Sequence, residues 1–188
     1  MDAENAETLV SGANIPGKHI LDNAEVGGEA EVYGNARVYG DAHMAGNAHV
    51  NGNAEVYGNA EVSGDATVSG DAKVFADAKV YGNAWVYGNA HVNGNAEVFG
   101  KAKVSGGATV SGDAKVFGRA GVYDNACVWG DAVVSGEAEV YGNACVWGNT
   151  CVWGNANILG TAVIIGGVWD GSEGPITSGR WKAPGVPA

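Results

Sequence analysis

The residues best suited to chemistry lie in three copies of the triplet Cys-Val-Trp, which begin at Cys127, Cys145 and Cys151. A thiol becomes a nucleophile when a neighbouring base, most often a histidine, takes up its proton. The chain has four histidines, and all of them precede the first triplet: His19, His43, His49 and His91. Whether any histidine meets a thiol therefore depends on the elements that carry these residues.

Those elements follow a repeat of six residues, Asn/Asp-Ala-x-Val-x-Gly, which keeps its register from Asn23 to Gly166. The alanine position holds Ala in 23 of 24 repeats, with Thr150 as the exception, and the valine position holds Val in 21 of 24. Ala and Val lie two residues apart, so they face the same side of a short strand. Gly followed by Asn or Asp suits a tight corner, because these residues tolerate positive φ. A unit of this length matches the hexapeptide period of parallel β-helices.

With this unbroken register, residues 24–165 resemble the left-handed parallel β-helix proteins of the hexapeptide-repeat family. The resemblance implies an all-β solenoid in which three hexapeptides form one triangular coil of 18 residues. The 24 repeats would then form about eight coils, and at a strand spacing of ~4.8 Å the solenoid would be about 38 Å long. Members of the family commonly form trimers, so the resemblance implies a homotrimer. The nearly invariant Ala departs from the usual pattern of the family and predicts a narrow, uniform core.

Residues outside the repeat are predicted to close the two ends of the solenoid. We expect an N-terminal cap or arm at 1–23, the β-helix at 24–167 and a C-terminal tail at 168–188. The tail is rich in Gly, Pro and Ser, which indicates a loop, whereas Trp169, Ile176 and Trp181 indicate that the loop docks on the protein. A plug over the last coil is the first interpretation, and a partner-binding tail is the alternative.

The charge and hydropathy of the chain argue against some classes of partner. The formal net charge is −11, and the ten Lys and Arg residues are scattered through the chain, which argues against nucleic-acid binding. No apolar run approaches the length of a membrane span, and the acidic, polar N-terminal residues do not resemble a secretory signal. Three cysteines in such a chain predict free thiols in a reducing cytoplasm.

Residues 18 apart should stack on neighbouring coils, and this arranges the variable residues in columns. Two charge ladders are predicted beside columns of aromatic rings. The first is Glu61, Lys79, Glu97 and Lys115 beside Tyr81, Phe99 and Phe117, and the second is Arg37, Glu55 and Lys73 beside Tyr39, Tyr57 and Phe75. A corner column contains Asp41, Asn59, Asp77, Asn95, Asp113, Asp131 and Asn149. Side-chain hydrogen bonds from coil to coil are expected there, and a row of calcium sites is the alternative.

The C-terminal third carries an outward strip without charge, and we predict a subunit interface there because uncharged aromatic surface marks interfaces. Its residues are Cys127, Trp129, Cys145, Trp147, Cys151, Trp153, Val163 and Ile165. The alternatives are that the C-terminal tail folds back over the strip, or that the indoles line a small-molecule site. The Cα atoms of Cys127 and Cys145 would lie ~4.8 Å apart, but parallel Cβ vectors favour two reduced thiols over a disulfide.

The resemblance also implies two enzyme activities, those of acyltransferases and of γ-class carbonic anhydrases. Acyltransferases of the family carry an extended loop and a histidine base at a cleft between subunits, whereas this chain has no insertion between residues 24 and 165. The carbonic anhydrases bind zinc through three histidines from two subunits, whereas His43, His49 and His91 fall on three different faces. No histidine lies within one coil of a thiol. We therefore predict no catalytic residue, no metal site and no cofactor, and keep a hexapeptide-type acyltransferase as the second alternative.

The predicted function is that of a non-enzymatic structural or interaction protein, which self-associates as a trimer through its Trp- and Cys-rich C-terminal half. The first alternative is a protein that binds a nucleotide or a sugar between subunits, since aromatic and Arg side chains suit a planar ring and an anion. The candidate ligand-binding residues are Arg119, Trp169, Arg180, Trp181 and Lys182. The composition and the lack of insertions also look similar to hexapeptide-repeat proteins of bacteria and their phages.

Overall fold

The structure is a computed structural model that describes residues 19–182. These residues form a parallel β-solenoid of about nine turns, in which residues 18 apart pair across neighbouring turns, as Glu25 pairs with His43. The predicted all-β solenoid and its coil length are confirmed. The handedness of the winding stays a prediction. None of the described residues lies in a helix that could cross a membrane.

The described residues contain 24 strands in three stacked columns, here named face 1, face 2 and face 3. Face 1 contains β1 (Glu25–Val26), β4 (His43–Met44), β7 (Glu61–Val62), β10 (Lys79–Val80), β13 (Glu97–Val98), β16 (Lys115–Val116) and β19 (Val133–Val134). Face 2 contains β2 (Glu31–Val32), β5 (His49–Val50), β8 (Thr67–Val68), β11 (Trp85–Val86), β14 (Lys103–Val104), β17 (Gly121–Val122), β20 (Glu139–Val140) and β22 (Asn157–Ile158). Face 3 contains β3 (Arg37–Val38), β6 (Glu55–Gly58), β9 (Lys73–Ala76), β12 (His91–Val92), β15 (Thr109–Val110), β18 (Cys127–Trp129) and β24 (Arg180–Trp181).

Two long strands turn the corner from face 3 to face 1. They are β21 (Cys145–Val152) and β23 (Val163–Trp169), and each contributes to both faces. Faces 3 and 1 therefore belong to one 16-stranded sheet, whereas face 2 is a separate sheet of eight strands.

The core is a single column of small side chains. The repeated Ala and Val residues point inward and are almost completely buried, as the strand alternation predicts. The backbone amide of each turn bonds to a carbonyl of the next, for example Asn35 N to Gly52 O at 2.7 Å. Each turn thus contacts its two neighbours, and stability accumulates along the solenoid axis.

Glycine closes most corners because the backbone there has positive φ and lies against the next turn. At Gly46, φ is 70° and a Cβ atom would lie 2.9 Å from the carbonyl oxygen of Gly64. Ala76 and Asp124 occupy the same position of the repeat with φ values of 61° and 58°. Asp124 adds a bond that glycine lacks, since its Oδ2 accepts a hydrogen bond from the amide of Gly142 at 3.1 Å.

The segment after residue 167 continues the solenoid by one further turn. Trp169 pairs with Val152 on face 1, Ile176 with Ile158 on face 2, and Trp181 with Ile164 on face 3. Three larger side chains thus take the three inward positions at the C-terminal end. The indoles of Trp169 and Trp181 meet edge to face, with ring centroids 6.1 Å apart and an interplanar angle of 86°.

The ninth turn depends on a change of register. Trp147 pairs with Ile165 at a separation of 18 residues, but Thr150 pairs with Gly167 at a separation of 17. The shift brings Trp169 inward and leaves Val168 outward.

At the other end, Ile20 pairs with Val38, while residues 1–18, most of the predicted N-terminal cap, lie outside the described residues. The predicted division into cap, β-helix and tail stays a prediction.

Candidate functional site

The uncharged strip on face 3 has the register that the repeat predicts. Cys127 pairs with Cys145, and Trp129 pairs with Trp147, on the adjacent strands β18 and β21. The two indole rings stack with their centroids 5.0 Å apart and an interplanar angle of 5°. The next turn continues the two columns with Val163 and Ile165. All six residues are therefore one continuous patch.

The patch extends around the corner onto face 1. Cys151 lies on that face between Val133 of the turn before and Val168 of the turn after. Trp153 follows on the same face and is 48 % exposed, close to the 45 % of Trp129 on face 3. Face 3 and face 1 thus each carry an exposed tryptophan toward the C-terminal end of the solenoid. We name the whole apolar area on both sides of this corner the Trp–Cys surface; it consists of Cys127, Trp129, Val133, Cys145, Trp147, Cys151, Trp153, Val163, Ile165 and Val168.

Two of these residues, Val133 and Val168, are missing from the sequence prediction. Val133 lies 18 residues before Cys151, so the coil period alone would have found it. Val168 is 59 % exposed and reaches the surface only because of the register shift beside it. No signal in the hexapeptide repeat indicates that shift.

Thr150 holds the corner between the two halves of the Trp–Cys surface. It occupies an inward position that is Ala in the other repeats and is completely buried. Its hydroxyl donates a hydrogen bond to the carbonyl oxygen of Trp147 at 2.6 Å and accepts one from the amide of Gly166 at 2.5 Å. The hydroxyl therefore ties the strand that carries Trp147 to the turn above it.

The three thiols are free and half-buried. Burial raises the pKa of the Cys145 thiol above its ordinary value, and the neighbouring Cys127, through its charge and a hydrogen bond, raises it further. The Cys127 thiol donates to the carbonyl oxygen of Asn125 at 3.8 Å. A raised pKa keeps the thiol protonated at neutral pH, which is the opposite of an activated nucleophile.

The histidines lie at the other end of the solenoid or on its middle turns. Nδ1 of His43 is 3.2 Å from the carboxylate of Glu25 on face 1, and Nδ1 of His49 is 3.2 Å from that of Glu31 on face 2. His91 lies on face 3 with its ring edge to face with Phe75, 6.4 Å between centroids. Among residues 19–182 no three His, Cys, Asp or Glu side chains are grouped as metal ligands.

The predicted ladders are confirmed. Lys79 Nζ lies 2.8 Å from Glu61 Oε1, and Lys115 Nζ lies 2.9 Å from Glu97 Oε1. Tyr81 stacks on Phe99 at 4.8 Å and donates its hydroxyl hydrogen to Glu97 at 2.8 Å. At the corner column, Asn59 donates to Asp77 and Asn95 to Asp113, both at 2.8 Å. These contacts join one turn to the next and have a structural role.

The candidate ligand-binding residues do not form one group. Arg119 lies at a corner before face 2, where Nη1 is 3.1 Å from Glu137 Oε1. Trp169 is an inward residue of the last turn and only 6 % exposed. Arg180, Trp181 and Lys182 are exposed beside it at the C-terminal end. The last three residues therefore share a location, which Arg119 does not.

One family model matches the chain. Residues 30–46 match the model described as YdcK Beta solenoid repeat. The match covers less than one coil, and together with the geometry above it supports a repeat β-solenoid. No curated protein and no solved structure matches the chain. Membership of the hexapeptide-repeat family stays a prediction.

Proposed function

We propose that the protein is a non-enzymatic, structural β-solenoid that self-associates, as a trimer, through the Trp–Cys surface. The observation that carries the proposal is the stacked pair Trp129 and Trp147, continued around one corner by the exposed Trp153. Contiguous apolar surface of this kind is unfavourable in water and is typical of protein interfaces. Tryptophan is the residue type most enriched among those that dominate binding energy.

The position of the patch supports a closed ring. Faces 3 and 1 meet at the corner that contains Gly148 and Thr150, and the apolar residues lie on both sides of that corner. When this edge points toward a symmetry axis, face 3 of one subunit lies against face 1 of the next. Such a heterologous contact forms a ring when the rotation closes. A trimer is the assembly that the family resemblance implies.

The test is the substitution Trp147→Glu, with Trp85→Glu as the matched control. Trp85 is also an outward indole and is 51 % exposed, but it lies on face 2, away from the Trp–Cys surface. We expect native mass spectrometry to find a trimer for the wild type and for Trp85→Glu, with an unchanged circular dichroism spectrum. Trp147→Glu should weaken association by about 30-fold or more, because it buries a charge at a central contact. A monomeric wild type, or a trimer that survives Trp147→Glu, would exclude the proposal.

The second candidate function is the binding of a small planar anion at the C-terminal end. It is favoured by Trp181, whose indole is 43 % exposed and whose neighbours in the sequence are the cationic residues Arg180 and Lys182. An aromatic face beside a cation suits a nucleotide or an acidic sugar. A thermal-shift screen of nucleotides and sugars should find stabilisation that is lost in Trp181→Ala, and no stabilisation by any of them excludes this function.

A further inference from the structure

Cys127 and Cys145 are two thiols held side by side by the backbone. They are register partners on the parallel strands β18 and β21, so their Cα atoms are separated by the strand spacing of ~4.8 Å. Neither belongs to a disulfide. Their neighbours in the same column are Thr109 before and Val163 after, and neither offers a soft ligand atom. The pair is therefore an isolated dithiol with a spacing that the solenoid sets.

That spacing suits a metal ion better than a covalent bridge. A disulfide needs Cβ atoms about 3.8 Å apart and sulfur atoms about 2.05 Å apart, whereas stacked residues with parallel Cβ vectors keep the Cβ atoms near the strand spacing. A zinc–thiolate bond is about 2.3 Å long, and two metal–thiolate bonds of about that length in a line span about 4.6 Å. This nearly equals the ~4.8 Å between neighbouring strands.

We propose that Cys127 and Cys145 together bind one soft monovalent metal ion, Cu(I), as a two-coordinate dithiolate. Thiolates preferentially bind soft metal ions such as Cu(I). A harder ion would also require ligands such as carboxylate or carbonyl oxygens. Both sulfurs come from one chain, so the site does not depend on the proposed self-association. The third thiol, Cys151, lies on face 1 between Val133 and Val168 and has no second sulfur beside it.

Binding is coupled to proton release. Each thiol loses its proton to the solvent as a sulfur–copper bond forms, so one Cu(I) replaces two protons and the charge of the site changes from zero to −1. Because binding releases protons, affinity increases as the pH rises. The stacked indoles of Trp129 and Trp147 follow the two cysteines on the same strands and report occupancy through their fluorescence.

The experiment is a competition titration of the reduced, full-length protein with Cu(I) and a chromogenic Cu(I) chelator, without oxygen. We expect one ion per chain, release of two protons per ion, and quenching of tryptophan fluorescence. Cys127→Ser and Cys145→Ser should each lower the affinity by about 100-fold or more, since two linked ligands bind about 10²–10⁴-fold more tightly than either alone. Cys151→Ser, the matched control, should bind like the wild type.

Several results would overturn the site. One is wild-type Cu(I) affinity in Cys127→Ser or Cys145→Ser with an unchanged circular dichroism spectrum. Another is an equal loss of Cu(I) affinity in Cys151→Ser, and a third is a stoichiometry of one ion for two chains. Native mass spectrometry of the apo protein separates this proposal from the proposed function. A monomer that binds one Cu(I) supports the metal site and excludes self-association. A trimer that binds no Cu(I) supports self-association and excludes the metal site.

Discussion

The hydroxyl of Thr150 accepts a hydrogen bond from the amide of Gly166 at 2.5 Å and so joins two stacked strands near the C-terminal end of the repeat. Both residues are buried, and the same hydroxyl donates to the carbonyl oxygen of Trp147. In the other repeats the inward position is Ala, which makes neither bond. This single departure from Ala at that position of the repeat lies at the corner beside the Trp–Cys surface.

Removal of the Thr150 hydroxyl should destabilise the protein. Thr150→Val keeps the shape of the side chain but leaves the buried amide of Gly166 without its acceptor, and we expect a loss of about 1–3 kcal/mol in the free energy of unfolding. Thr150→Ser keeps the hydroxyl and should lose less. Urea unfolding followed by circular dichroism measures both. Equal stability of Thr150→Val and the wild type would show that the hydrogen bond contributes nothing.

Ala76 occupies a corner position with φ of 61°, where most repeats have glycine. Ala76→Gly should stabilise the protein by about 0.5–1 kcal/mol, because it removes the cost of a left-handed conformation at a residue with a side chain. The converse substitution, Gly46→Ala, should destabilise it by about 1–3 kcal/mol, since the new Cβ would meet the backbone of Gly64. The midpoint of denaturant unfolding gives both values. A destabilised Ala76→Gly variant contradicts this account of the corners.

The pair Tyr81 and Glu97 should make stability depend on alkaline pH. Burial first, then the hydrogen bond to Glu97 and the charge of that carboxylate, together raise the pKa of Tyr81 from its ordinary 10.0 to about 12. A raised folded pKa gives stability that is complete below the unfolded pKa and is lost as the pH rises from about 10 through 12. Titration followed by phenolate absorbance should detect a tyrosine that ionises near pH 12 in the wild type. This tyrosine should be missing in Tyr81→Phe. In Glu97→Gln the pKa of Tyr81 should fall only part of the way to its ordinary value, because burial is the larger cause of its increase.

The same pair should also make stability depend on acidic pH, where stability is lost as the pH falls. Hydrogen bonds from Lys115 first and Tyr81 second lower the pKa of the Glu97 carboxyl. A lowered folded pKa gives stability that is present above the unfolded pKa and is lost as the pH falls through the folded value. The difference in unfolding free energy between wild type and Glu97→Gln should therefore be present at neutral pH and disappear in acid. A difference that stays constant with pH would show that ionisation of Glu97 does not contribute.

Trp169 should stabilise the C-terminal end more than Trp181 does. Trp169 is almost completely buried among the core residues, whereas Trp181 is nearly half-exposed on the last turn. Trp169→Ala should cost about 3–5 kcal/mol locally, and Trp181→Ala clearly less. Hydrogen exchange measured along the chain should show faster exchange at 145–165 in Trp169→Ala, with the first turns unchanged, because each turn depends on its neighbours. Uniform acceleration along the whole chain would contradict a local cap.

Much of the surface could be predicted from the repeat period. Once residues 18 apart are neighbours, the sequence places Cys127 beside Cys145 and Trp129 beside Trp147, and the structure has these pairs. The ladder of Glu61, Lys79 and Glu97 follows from the same period. The prediction succeeded here because each repeat has one conformation, so position in the sequence determines position in space.

The C-terminal turn could not be predicted in this way. The sequence after Gly167 has no hexapeptide pattern, so a loop that docks on the end was expected. In the structure this segment packs on the end as an added turn, in which Trp169 points inward and Val168 outward after a shift of one residue. A shift of one residue exchanges the two sides of a strand, and only the pairing with β21 decides which side is buried.

The amino-acid sequence by itself therefore determined the repeat, the length of the coil, the Ala and Val core and the columns of outward residues. Each of these depends on local alternation and on a period that never changes between Asn23 and Gly166. Only the tertiary structure decided the ninth turn, the double hydrogen bond of Thr150 and the extension of the Trp–Cys surface to Val168. These features depend on contacts between turns at the point where the period ends, and a period carries no information about the segment that departs from it.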